Sequence, residues 1–467
     1  MVYERTVVTP PCFFTMVFYM TPEIGYSKKN YSRIWYIAYP ILISVMMEQI
    51  VGITDTAFLG RVGEIELGAS ALGGVFYISI FVIGMGFCQG SQILMGRRNG
   101  EKKFQEIGII FYHSLTFLLL LGLIVFFFIL FFAPAILRAI IETPQMCKAT
   151  YLYLQCRILG IFFAYVAIMF RAFYVAITNT KTLTLNSLLM VGCNILLDYI
   201  LIFGKLGAPK MGIAGAAIAS VISEFVSMAF FIIYTKCKID THKYAFSCFP
   251  RFRFDVLRSI LKVSVWAMVQ DFLSVSTWFL FFLAVEHLGD RELAISNIVR
   301  NVSSVTYMAV SALGLTVTTL VSNLMGQGKI YKVLPTIYRS IKLGYCILLV
   351  PCLFAAIFPE YVIRVFTNDE SLVRDGWAPL LIMLSSYVIT SPSLILFKAV
   401  SGTGDTRRAL YIEMISLAAY ILYICIAILY LNVSLTLCWC AEYIYQGVVL
   451  ICCIAYFKKG AWQSRQI

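Results

Sequence analysis

The chain reads as an all-α polytopic membrane protein, with twelve transmembrane helices in two six-helix bundles related by pseudo-two-fold symmetry about the membrane normal. Three observations predict this: apolar runs of membrane-spanning length, loops that alternate between basic and non-basic, and matching segments half a chain apart. Hydrophobic residues make up 60% of the chain and charged residues 13%, where soluble domains carry ~45–50% apolar residues. About 20 apolar residues cross ~30 Å of hydrocarbon. Such runs recur with breaks near residues 61–67, 97–106, 134–147, 179–182, 204–212, 236–256, 287–292, 327–335, 359–373, 402–408 and 431–434, which makes twelve spans.

Lys and Arg accumulate in cytoplasmic loops. The N-terminal arm, the 97–106, 179–182, 236–262, 327–342 and 402–408 loops and the C-terminal tail hold 25 of the 37 Lys+Arg, and the intervening loops with their immediate flanks hold 8. Both termini are therefore expected on the cytoplasmic side of a prokaryotic inner membrane. The +13 net charge is mostly this bias, so no nucleic-acid partner is inferred. The 14 cysteines show no metal-ligand or redox spacing and read as small buried hydrophobes. With three histidines and no HExxH, GxSxG or GxxxxGKS pattern, hydrolytic and nucleotide chemistry lacks residues to carry it, and no enzyme is predicted. Residues 1–30 contain an apolar stretch, PPCFFTMVFYM, too short to span and without a signal-peptidase site. An interfacial segment, a disordered extension, or a true start at Met20 are the readings it allows.

The internal repeat has an offset of 226: Gly63-Glu64-Ile65-Glu66-Leu67-Gly68-Ala69-Ser70 aligns with Gly289-Asp290-Arg291-Glu292-Leu293-Ala294-Ile295-Ser296, and Thr180-Lys181 with Thr406-Arg407. An offset of 227 pairs Phe170-Arg171-Ala172 with Phe397-Lys398-Ala399. The expected organisation is an N-terminal extension (1–30), an N-lobe (31–235), a basic linker (236–255), a C-lobe (256–458) and a tail (459–467). Six spans per half preserve orientation, so the halves are parallel repeats with a cleft between them.

Two carboxylates interrupt apolar spans, where an ionised side chain costs at least ~3 kcal/mol at mid-membrane. Asp55 stands five residues before Gly60 on span 1, and Asp198 six before Gly204 on span 5. Ser220 enters span 6 about as far, so at ~1.5 Å per residue all three sit roughly 8–12 Å below the outer boundary. Asn194, one turn from Asp198, shares its face. This oxygen-rich set suits sodium or a shared proton, and the residues alone leave that choice open. Neither carboxylate has a counterpart in the second half, where Phe281 and Ile424 stand at the equivalent positions.

Glu48, Gln49, Gln270 and Asp271 are candidate substrate-cleft residues. Arg171 and Lys398, near cytoplasmic helix ends, are expected to snorkel or to latch the halves. Asp271, Arg300, Glu413 and Glu442 await partners. Pro40 lies fifteen residues before Asp55 and removes a helical hydrogen bond, whereas its repeat partner is Trp266. Pro40 is thus the expected hinge and the first half the mobile element.

With Pro40 and TDTAFLGRVG (54–63), GRRNGEKK (96–103), NILLDYILIFG (194–204), MGIAGAAIAS (211–220) and LGDRELAISNIVRNV (288–302), the chain resembles the multidrug and toxic compound extrusion (MATE) family of antiporters over nearly all of residues 31–458. It looks closer to the DinF-like prokaryotic branch than to the NorM-like one, whose second half carries acids on spans 7 and 10. The resemblance implies a V-shaped cleft open alternately to each side, and a first-half cation site at Asp55, Asn194, Asp198 and Ser220. It also implies export of amphipathic, cationic compounds in exchange for Na+ or H+, with no other cofactor, by a monomer in a lipid bilayer. A lipid-linked precursor flippase of the same superfamily is the alternative, and a non-transporting scaffold the alternative of a different class.

Overall fold

The computed structural model describes residues 28–465 except 142, 247–249, 368 and 432, so the expectations for residues 1–27 lie outside the described residues. Eleven helices are long and apolar enough to cross a membrane, and a pair bent by 52° supplies a twelfth span. The first lobe consists of α1 (Lys28–Leu59), α2 (Glu64–Gly100), α3 (Phe104–Ile140), α4 (Pro144–Arg157) and α5 (Gly160–Ala176) as the bent span, α6 (Lys181–Phe203) and α7 (Ile213–Lys238). The second consists of α8 (Phe254–Glu286), α9 (Asp290–Gly326), α10 (Val333–Ile357), the short α11 (Pro359–Arg364), α12 (Glu370–Gly402), α13 (Thr406–Ile424), the single turn α14 (Leu435–Cys438) and α15 (Ala441–Lys458).

The repeat read from the sequence has a local physical basis. α2 and α9 are each 37 residues long and each begins just after a glycine. In both, the carboxylate three residues on folds back over that glycine: a Cβ at Gly63 would lie 2.4 Å from Glu66 Oε2, and one at Gly289 would lie 2.7 Å from Glu292 Oε2. A glutamate at the third helical position thus puts a negative charge beside the positive end of each helix.

The lobes meet along α1, α2, α8 and α9, and mostly at one end. α2 is buried almost continuously from Gly84 to Arg97, but through its first half only Ala69, Gly73 and Tyr77 are buried. At the closed end small residues let backbones touch. A Cβ at Gly100 would sit 2.2 Å from Asn323 O, and one at Gly326 would sit 2.2 Å from Arg97 O. Polar side chains complete the contact: Asn99 donates to Asn323 (2.6 Å), Ser322 to the Ile93 carbonyl (2.5 Å) and Gln92 to Thr319 (2.9 Å). The tail joins in, because Arg97 donates to the Arg465 carbonyl (2.7 Å) while the Arg465 guanidinium reaches Asp405 (3.3 Å). Beside this contact, in the loop after α2, burial opposes ionisation of Glu101, but Arg98 and Lys103 outweigh it and hold the carboxyl below its ordinary range. Toward the other end the helices part, exposing Ile53, Val75 and Val305.

The basic linker packs on the first lobe: Tyr244 and Phe246 lie edge-on against Phe173, and Tyr112 donates to the Phe246 carbonyl (3.0 Å). Two expectations need correction. Cysteines are not uniformly buried, since Cys237, Cys346 and Cys425 are exposed. Nor is Pro40 a unique hinge. α1 runs unbroken through it, and Pro134, Pro351, Pro379 and Pro392 also lie inside helices. Comparing Pro40 only with its repeat partner hid the prolines of the second lobe.

Replacing Gly326 by Ala forces two backbones apart, and overpacking of this kind costs ~1–3 kcal/mol. At Gly192 a Cβ meets nothing within 4 Å, so Ala there gains ~1 kcal/mol of helix propensity. Thermal midpoints of the two purified variants are expected to move in opposite directions from the parent.

Candidate functional site

The two acids that the depth argument paired do meet. The carboxyls of Asp55 on α1 and Asp198 on α6 lie within hydrogen-bonding reach of each other. Asp198 is fully buried, as is Asn194 one turn before it. No donor from the rest of the protein reaches either Asp198 oxygen or Asp55 Oδ1, and both polar atoms of the Asn194 amide are likewise unpartnered. Buried polar atoms without partners are rare and mark a role other than packing. Ser220 is buried on the neighbouring α7. Among the described residues no cluster of three or more His, Cys, Asp or Glu could hold a metal ion.

A second element of this site escaped the sequence reading. Arg157, the last residue of α4, makes a bidentate contact with Glu224 on α7 at 2.5 and 2.7 Å. Its guanidinium also lies 4.3 Å from the centre of the Tyr77 ring, and its charge acts on Asp55. Glu224 stands one turn beyond Ser220 on α7. The bend of span 4 makes room for it. A Cβ at Gly160 would lie 2.2 Å from Glu224 Oε2 and 2.7 Å from Arg157 Nη1, so only glycine leaves space for the ion pair where α5 begins. One signal was available: Arg157, Arg171, Arg300 and Lys398 are the four basic residues that the loop count leaves inside spans.

The cleft candidates fare unevenly. Glu48 pairs with Arg171 of the same lobe, so Arg171 neither latches the halves nor snorkels. Gln49 is exposed. Gln270, by contrast, is only 3% exposed and packed into the second lobe, which removes it from a cleft wall. Asp271 neighbours Lys398, and Lys398 does bridge the halves by donating to Gln89 on α2 (3.2 Å). Glu413 accepts from Ser274 (2.6 Å) and Tyr445 (2.8 Å) while its Oε2 stays unpartnered. Glu442 contacts Gln446, and Arg300 lies over the Phe282 ring at 4.8 Å.

Two six-span lobes, closed on each other at one end and with carboxyl oxygens left unsatisfied inside the first, have the build of a multi-pass membrane transporter. The MatE family model matches residues 40–200 and 267–434, and the chain belongs to that family. The probable multidrug resistance protein NorM of Pasteurella multocida (strain Pm70) is 25% identical over 394 residues, spanning 83% of this chain and 84% of its own. NorM of Thermotoga maritima is 23% identical over 447 residues, 92% and 93% of the two chains. Among solved structures, a MOP superfamily transporter from Pyrococcus furiosus superposes with a TM-score of 0.84 at 19% identity, covering 94% of this chain and 97% of that one. An outward-facing MATE multidrug resistance transporter gives the same four figures. The first-lobe carboxyl pair fits the DinF-like branch within this family.

Breaking the buried ion pair from one side is expected to be severe. Arg157→Met leaves Glu224 charged and unpartnered, at a cost of ~3–5 kcal/mol, whereas Arg157→Met combined with Glu224→Leu restores most of the loss. Thermal unfolding of the purified single and double variants checks the order.

Proposed function

We propose that the protein is a secondary antiporter that exports amphipathic, cationic compounds in exchange for an inward-moving Na+ or H+. The observation that carries this reading is the Asp55–Asp198 pair with Asn194: buried oxygens without a donor, on helices that cross the membrane. An acceptor set of that kind is expensive when empty and cheap when it holds a cation. Basic loops assign the closed end to the cytoplasm, so the conformer described is open outward, and the site faces the side from which the driving ion enters. In the second lobe Tyr307, 47% exposed, lies among Asp271, Glu413 and Glu442, of which Asp271 is the one partly open to a cationic guest. Exposed apolar walls tolerate guests of varied shape.

Efflux of a fluorescent cation from proteoliposomes under imposed sodium or pH gradients tests the reading. Gradient-dependent efflux is expected. Lipid scrambling with no efflux of any amphipathic cation would replace antiport by a flippase. Asp198→Asn keeps the shape and removes the charge, so it is expected to reduce coupled efflux to background with normal expression; normal transport would remove Asp198 from the coupling site.

Pro40 is buried in α1, and its carbonyl accepts from Thr184 of α6 at 3.4 Å. Pro40→Ala restores the missing backbone donor. It is expected to raise the thermal midpoint while slowing turnover several-fold. Parental turnover in a folded variant would discount a hinge at this position.

A further inference from the structure

We propose that the docked C-terminal tail is a strap that holds the closed end of the two lobes shut, and that its undocking is what lets that end open. The inference stands on the two-lobe fold and goes beyond the antiport reading, because it holds whichever ion or compound is carried. It starts from the repeat. The 226-residue offset sets Arg97 on α2 opposite Asn323 on α9, and Ala176, at the end of α5, opposite Gly402, at the end of α12. In a symmetric seam each of the two side chains would bond to the helix end of the other lobe. Asn323 does so, donating from Nδ2 to the Ala176 carbonyl (3.1 Å). Arg97 instead donates from Nη2 to the Arg465 carbonyl (2.7 Å). In one half of the seam the tail therefore stands in for a helix end.

The tail is held so as to present that carbonyl. After α15 the chain reverses at Gly460, whose φ of +67° suits glycine, and the Gln463 N–H closes the turn on the Gly460 carbonyl (3.1 Å). Trp462 is 1% exposed; its indole donates to the Phe457 carbonyl (3.1 Å) and stands edge-on to the Phe457 ring at 5.4 Å. Further on, the Arg465 guanidinium pairs with Asp405, a buried carboxylate that Arg408 also holds at 3.3 Å. An indole and an ion pair thus fix the tail to the second lobe. Arg97, from the first lobe, grips little else: among the described residues its Nε and Nη1 are buried without an acceptor, and Glu101 stands 3.7 Å from Nε. A hydrogen bond from a charged donor is stronger than a neutral one. With the tail docked, the lobes cannot part at this end without breaking it. With the tail free, the acceptor moves with Arg97, and the bond no longer ties one lobe to the other.

The test is hydrogen exchange of the purified protein, read by mass spectrometry at the closed end (residues 96–102 and 322–328) and in the parted half (residues 72–80 and 298–306, which contain the exposed Val75 and Val305). Trp462→Ala frees the tail while leaving Arg97 and the carbonyl it grips in place. It is expected to speed exchange at the closed end at least ~10-fold and to slow it in the parted half, because lobes that rock open at one end close at the other. Arg97→Gln, which removes the charge from the far side of the same bond, is expected to move both regions in the same directions. Arg465→Ala keeps the carbonyl but removes the pairing with Asp405, and serves in place of Trp462→Ala should that variant fail to fold. Unchanged exchange at the closed end of the folded variants overturns the proposal. So does faster exchange in both halves, which marks general loosening and not release of a strap.

Discussion

The bidentate contact between Arg157 and Glu224 is the constraint around which the first lobe is arranged. Two ions taken out of water must satisfy each other almost completely, and the chain meets that demand with unusual local structure. Span 4 breaks into α4 and α5, a glycine opens the bend, and Tyr77 presents its face to the guanidinium. Once the pair has neutralised itself, Asp55 and Asp198 are left with each other and with an amide that also has no partner. An unsatisfied site survives in the membrane because the ions beside it are so well satisfied.

The contact between lobes follows a different logic. Its closed end is built from Gly96, Gly100 and Gly326 with Asn99, Ser322 and Asn323. Close backbone packing gives that end a definite closed geometry. Lipid supplies no hydrophobic drive for association, so parting the helices exchanges a limited number of van der Waals contacts and hydrogen bonds. Such an interface can form and separate within a cycle. By contrast, the interior of each lobe is held by large aromatic clusters such as Phe111, Phe170 and Phe173, which favours movement of lobes as units.

How far the sequence could be read depended on the range of the signal. Spans, repeat and orientation come from composition and spacing, and the repeat reappears in the structure as Glu66 over Gly63 and Glu292 over Gly289. The meeting of Asp55 and Asp198 was legible because depth in a membrane is arithmetic: a residue count from the helix end fixes height. Azimuth is not. Arg157 and Glu224 lie 67 residues apart on different spans, and whether they face each other depends on a bend that no proline announces. For the same reason Arg171 found Glu48 rather than the opposite half, and Gln270 turned inward while its neighbour Asp271 stayed partly open.

The two lobes therefore carry their buried cations in unlike ways. Arg157 is a planar fork locked onto one partner, whereas Lys398 is a point charge on a flexible stem, and its one hydrogen bond among the described residues runs across the lobe interface to Gln89. The nearest anions on its own side are Asp271 and Glu413. When the lobes part at this level, the Gln89 acceptor leaves, and the amine's remaining attraction is toward those two acids. The second lobe's charge arrangement thus depends on whether the lobes are together, while the first lobe's ion pair lies wholly within one body and is unchanged by the motion. A charge locked within the first lobe and a flexible one at the seam thus hold the buried cations of the two lobes under different constraints.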